Sequence, residues 1–213
     1  MTDENNKKLN SIILENTKKA LEKNGFKTEI FENKQEATEY ILKLIGKEKK
    51  VGMGGSVTAN QLELPEKLKE NKNIIIKHQP QMNLEERRKI WLNSLSSDFY
   101  IASPQAITTD GKLIFIDGTG NRCAAITWGP KYIILPAGIN KIVKNEQEGF
   151  WRMRNISAIA NNFRLNKNNP CMKTGKCEDC SSPDRICNVV TLLWKKPKVT
   201  NYLVILINEE LGY

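Results

Sequence analysis

The 213 residues include 33 Lys and Arg against 24 Asp and Glu, a formal net charge of +9, with 39% hydrophobic and 7% aromatic residues. These proportions suit a globular protein with one core that folds without depending on its cysteines. They exclude a bilayer-spanning chain, because apolar runs such as 202–207 are far too short; residues 1–8 are polar and charged, unlike a secretory signal, and point to a cytoplasmic protein.

A first helix is expected from about Asp3 to Asn24, where Leu9, Ile12, Ile13, Thr17, Ala20 and Leu21 recur at helical spacing and Asn24-Gly25 supplies a stop. Residues 26–31 then read as a strand, and 34–45 as a helix with Ala37, Tyr40, Ile41, Leu44 and Ile45 on one side. A short strand at 51–53 runs into a glycine turn, and a helix begins near Ser56. Further strands are expected at 73–77, 99–102, 112–117, 132–135 and 202–207, with helices near 84–95 and 146–162. Strands separated by helices favour right-handed crossovers, hence an α/β protein with a mainly parallel, helix-covered sheet. The whole chain, 1–213, reads as one such domain. Only 165–190 breaks the pattern: it lacks apolar periodicity and is rich in turn residues, so it needs a staple to be ordered.

That stretch holds four of the five cysteines, Cys171, Cys177, Cys180 and Cys187, in the spacing Pro-C-x5-C-x2-C-x6-C. Thiolates are soft ligands for zinc and iron–sulfur clusters, and the two-residue gap between Cys177 and Cys180 lets both sulfurs reach one centre. In a reducing compartment a metal site is favoured over two disulfides or redox thiols, and it would clip the loop together. Cys123 stands apart in an apolar-leaning segment and reads as a small buried residue.

In an α/β protein, functional groups collect at the carboxyl ends of the parallel strands. Gly54, Gly55, Ser56 and Thr58 follow a strand and open a helix, where backbone N–H groups receive phosphate or carboxylate. Ser56 is equally suited to capping that helix. The segment is neither a Walker A loop nor a full dinucleotide fingerprint, and the chain shows no flavin or nicotinamide motif. The second concentration runs from Thr108 and Asp110, at a tight turn between strands, to Asp117, Gly118, Thr119, Gly120, Asn121 and Arg122 at a strand end. Here Arg122 could bind an anion bidentately, Asn121 could orient a carbonyl, and Asp117 could act as acid or base or simply hold Arg122; a hydrogen-bonded turn with a structural ion pair uses the same residues. Asn140-Lys141 is a third polar pair beyond a strand end. His78, the only histidine, sits in a polar segment and reads as a surface or turn residue.

Taken together, 51–58 (VGMGGSVT), 106–111 (AITTDG), 117–122 (DGTGNR), 128–131 (WGPK) and 138–141 (GINK) resemble the LUD domain family, named for lactate utilisation and long described as a domain of unknown function. The resemblance covers most of the chain. It implies a fold similar to CoA-transferases and ribose-phosphate isomerases, with a ligand crevice at the strand ends. It also implies kinship with small cofactor-free subunits of lactate oxidation systems whose partner proteins carry iron–sulfur clusters. The cysteine block is similar to that of stand-alone members.

The function expected is an enzyme, or enzyme subunit, of organic-acid metabolism that binds a small anionic metabolite, with an iron–sulfur or zinc site at the four cysteines. The alternative is a non-catalytic accessory subunit with a structural zinc. Nucleic-acid binding ranks third: the lysines, as in Lys7-Lys8, Lys18-Lys19 and Lys195-Lys196, are dispersed like solvated helix faces. Homo-oligomerisation is compatible with the sequence, and the charge alone identifies no partner.

Overall fold

The computed structural model describes residues 4–213, so the expected helix start at Asp3 lies outside the described residues. Six strands form an all-parallel sheet: β1 (Lys27–Phe31), β2 (Lys50–Met53), β3 (Ile74–Ile76), β4 (Phe99–Ile101), β7 (Tyr132–Gly138) and β10 (Asn201–Ile207), in the order β1-β10-β7-β4-β2-β3. Central strand β10 is buried at every position after Asn201. This is why its sequence, NYLVILI, is a continuous apolar run rather than an alternating one. Helices cover both faces, as the α/β alternation predicts.

On one face, α2 (Lys34–Ile45), α3 (Val57–Gln61) and α4 (Leu64–Glu70) bury Ala37, Ile41, Ala59, Leu64 and Leu68 against Val51, Ile101 and Ile205. On the other, α1 (Glu4–Lys23) buries Leu14 and Leu21 against Phe26, Val204 and Leu206, with α6 (Asn121–Thr127) beside it. Helix α1 ends where expected: Phe26 N–H donates to Leu21 O and Gly25 N–H to Glu22 O, the paired bonds of a Schellman cap.

The second face also carries a smaller sheet that the sequence pattern does not reveal. It joins β5 (Ala106–Thr108), β6 (Leu113–Asp117), β8 (Ile142–Val143) and β9 (Val189–Leu193) in the order β8-β5-β6-β9. Strands β5 and β6 form the antiparallel hairpin expected around Thr109-Asp110-Gly111. The expected helix at 146–162 is instead three pieces: α7 (Glu146–Arg152), a π-turn over Met153–Ser157, and α8 (Ala158–Arg164). At the π-turn the Ala158 N–H reaches back to Met153 O, five residues away.

Candidate functional site

Four adjacent strands of the parallel sheet deliver their carboxyl ends to one place. After β2 the chain turns through Gly54 and Gly55 into α3, whose N-cap is Ser56; the Ser56 Oγ accepts from Ala59 N–H at 3.2 Å. Ser103 follows β4, Lys141 follows β7, and Lys77 and His78 follow β3. Asp117 and Arg122 come from the end of β6 and the start of α6 in the second layer. Together they line a crevice of about 840 Å³.

Pro136 helps open it. Strand β7 pairs with β4 through Ile134, opposite Ile101, and with β10 along its whole length. Pro136 has no N–H to donate, and it stands where β4 has already left the ladder. Its carbonyl accepts from Ser103 Oγ at 2.7 Å instead.

Asp117 is the hub of the second layer. One carboxylate oxygen accepts from the Thr119 and Gly120 N–H groups at 3.0 and 3.2 Å, and the other from Arg122 N–H and Arg122 Nε at 3.0 and 3.2 Å. Burial pushes its carboxyl up, but the Arg122 charge and these donors outweigh that and hold it below the ordinary value. An ionised carboxylate with all these donors is an anchor, not a proton shuttle. Arg122 also donates to Ile116 O, and its stem lies on Gly54, where a Cβ would stand 2.6 Å from Arg122 Cδ. The glycine at 54 is therefore space for the arginine rather than a ligand contact.

Lys141 is 2% exposed, and its Nζ donates to Thr58 Oγ1 at 2.9 Å and Ser103 Oγ at 2.7 Å. Among the described residues no carboxylate pairs with it. Burial first, then the charges of Arg152 and Arg122, push its ammonium down to about 7. Arg152 is itself buried and holds the wall behind, donating to Asn140 O, Gln105 O and Ser157 Oγ at 3.0, 2.6 and 2.9 Å.

The crevice brings together Gly55, Ser56, Thr58, Asp117, Gly118, Thr119, Asn121, Arg122 and Lys141 from the expected set. Others stand elsewhere. Thr108 and Asp110 belong to the β5–β6 turn, where Asp110 pairs with Lys112 at 2.9 Å and the turn docks on Asn24 of the α1 cap. Gly120 is the N-cap of α6 and lies outside the crevice lining. Asn140 clamps the terminal segment, accepting from Leu211 N–H at 3.1 Å and donating to Gly212 O at 3.2 Å.

Ser103, Arg164, Gln105 and His78 line the crevice without having been picked out as ligand contacts by the sequence. Ser103 sits two residues past a strand in the run Ala-Ser-Pro, and that strand-end position was the available signal. His78 is half-buried on the crevice wall, not a plain surface residue, and accepts from Trp91 Nε1 through Nδ1 at 3.2 Å. Burial, then Arg87 and Lys77, push its pKa down, so it stays neutral. Nothing local in the sequence signals that placement.

The cysteine segment forms one wall through Pro183, Asp184, Arg185 and Ile186. Cys171 starts the single turn α9 (Cys171–Thr174) and is buried, while Cys177, Cys180 and Cys187 are half-buried. Cys177 Sγ accepts from Arg154 Nε at 3.3 Å, and Cys171 Sγ from Asn162 Nδ2 at 3.5 Å. Burial pushes the Cys171 thiol up, and the other three sulfurs stand close enough to push it further. Among the described residues, no three His, Cys, Asp or Glu side chains are grouped at metal-holding geometry. A polar network ties the segment down: Lys167 with Asp184 at 2.9 Å, Asn169 with Asn162 at 2.6 Å, and Asp179 with Arg154 and Arg185 at 3.1 and 3.0 Å.

The balance of charge in the crevice is clear. Lys77, Arg87, Arg122, Arg164, Lys167 and Arg185 line it, beside the Lys141 amine, against Asp117 and Asp184, each of which is already paired with a cation, Arg122 and Lys167 respectively.

A family model described as the LUD domain matches residues 14–207. Among solved structures, the chain is similar to a DUF162 family protein from Deinococcus radiodurans, with a TM-score of 0.54 at 14% identity, over 93% of this chain and 98% of that one. That likeness shows the fold. No curated protein matches the chain. No helix among the described residues is long and apolar enough to cross a membrane.

Proposed function

Because the chain belongs to the LUD domain family, linked in general to lactate utilisation, we propose that it binds a small anionic metabolite at its strand ends, as an enzyme or enzyme subunit of organic-acid metabolism. The observation that supports this most is the crevice's surplus of cations over paired carboxylates. Asp117 holds Arg122 by its backbone and Nε and Ile116 O takes one further N–H, leaving the uncommitted guanidinium N–H groups for a carboxylate or phosphate. Thr58 and Ser103 fix the Lys141 amine on the other side. A guanidinium held in advance, as Arg122 is, binds an anion without first reorganising.

Calorimetric titration with phosphate, lactate and pyruvate tests the assignment. Arg122→Ala should weaken the anion that binds by roughly 10- to 100-fold, the value of a charge-assisted hydrogen bond. Unchanged affinity would sink the crevice assignment.

The four cysteines are proposed to hold a metal ion or an iron–sulfur cluster. Four soft donors within electrostatic reach of one another, with Arg154 and Asn162 donating to two of the sulfurs, support that reading. A cluster would supply electron transfer; a zinc with all four thiolates would serve as a staple. Protein prepared without oxygen and assayed for iron, sulfide and zinc decides between them, and none of the three would overturn the site. Cys180→Ser should release the metal.

A further inference from the structure

The geometry points to Lys141 as a carbonyl-reactive amine that forms an imine with a small anionic aldehyde or ketone held in the crevice. This rests on the anion-binding reading above and adds the substrate's second functional group and a covalent step.

The hydrogen bonds around Nζ orient the amine. Ser103 Oγ donates its own proton to Pro136 O at 2.7 Å, and Thr58 Oγ1 donates to Leu211 O at 3.4 Å. Both hydroxyls therefore meet Lys141 as acceptors. A neutral amine has two N–H groups and one lone pair. The two N–H groups are used, so the lone pair takes the remaining tetrahedral direction. An ammonium in the same place would bury a third N–H and a net charge with no carboxylate beside it. The backbone of Gly212 passes over the amine at φ +63°, and a Cβ there would lie 3.1 Å from Nζ and 2.4 Å from Thr58 Oγ1. Glycine thus leaves beside the amine the space that a side chain would fill.

Charged and titratable groups around it act in one direction. Arg152 from α7 and Arg122 from α6 both oppose a further positive charge, Asp117 on β6 is committed to Arg122, and Lys77 and His78 also line the crevice. A neutral lysine in such a pocket is a nucleophile at neutral pH. Its lone pair attacks the carbonyl carbon, forming a C–N bond, and the proton lost from nitrogen goes to the carbonyl oxygen. The resulting carbinolamine takes up one further proton and loses water as the C–O bond breaks, leaving an iminium. No oxidant or reductant is needed. Arg122 holds the substrate's carboxylate or phosphate meanwhile.

The test is reductive trapping of the full-length wild-type chain with sodium cyanoborohydride, using pyruvate and glyoxylate in one arm and dihydroxyacetone phosphate in the other, followed by peptide mass mapping. The expected result is an adduct of the reduced probe on Lys141, on the order of tenfold or more above exposed lysines such as Lys8, with the half-rise near pH 7. Lys141→Arg should abolish it. The arm that traps identifies the anionic group as carboxylate or phosphate. Calorimetry on the same samples separates the two claims. Probes that bind without an adduct on Lys141, or adducts spread evenly over surface lysines, overturn the imine and leave the crevice standing. Absence of both binding and adduct overturns both.

Discussion

Lys141 sits where burial and two neighbouring arginines oppose its charge. Its folded pKa, about 7, lies below the ordinary 10.5, so the unfolded chain holds more protons between those values. Stability from this residue therefore rises with pH across that window and is lowest below it. Lys141→Met should raise the melting temperature at pH 6 by more than at pH 9, which a pair of thermal scans reads directly; equal shifts would contradict the buried, strained amine. Asp117 also favours the fold as pH rises, but in a lower window and as a stabilising group. Its carboxyl is held below the ordinary 3.8, so its contribution is complete above that value and is lost as pH falls through the folded one. Asp117→Asn should cost about 1.5–3 kcal/mol at pH 7, the scale of hydrogen bonds to a charged group, and the gap from wild type in urea midpoints should narrow as pH falls below 3.8. The sequence shows that Asp117, Arg122 and Lys141 stand at strand ends. It does not show that Asp117 is saturated or that Lys141 is buried without an acid, because those depend on Ser103, Thr58 and Arg152, which are remote in the chain.

Elements with local punctuation are the ones the sequence places well. Asn33, Asn83 and Asn145 each accept from the N–H three residues on, and the helices they cap begin at Lys34, Leu84 and Glu146, as expected. Strands β8 and β9 have no such punctuation and exist through pairing with β5 and β6. The π-turn was equally hidden, since 146–162 keeps helical spacing on both sides of it. Its Asn155 accepts from Cys177 N–H at 2.9 Å. Asn155→Ala should leave that donor without its partner and speed amide exchange at Cys177, while Arg154→Ala, which leaves it in place, should not do so at that amide.

For the whole molecule, the parallel sheet was legible and the second layer was not. The consequence is that the crevice has one floor from β2, β4 and β7, which the sequence implied, and one wall from β6, α6 and the cysteine segment, which only the tertiary structure brings over. Its cations also sit within a chain of net charge +9. Anion affinity should fall roughly 3- to 10-fold from low salt to about 0.5 M, as the screening length shrinks to a few ångströms. A salt-independent affinity would place the anion outside this field.

The π-turn has one more consequence. It inserts an odd residue between Arg152, whose guanidinium braces the wall behind Lys141, and Arg154 with Asn155, which touch Cys177. Each residue of an α-helix advances about 100° around the axis. Wound as an unbroken α-helix, the same residues would turn everything after them by about that angle, whereas the wide turn absorbs the extra residue and keeps the two flanking helices in phase. The wide turn thus keeps Ser157 on Arg152 and Asn162 on Cys171 at the same time, and removing its one extra residue should leave both contacts in place, whereas adding a second should break both.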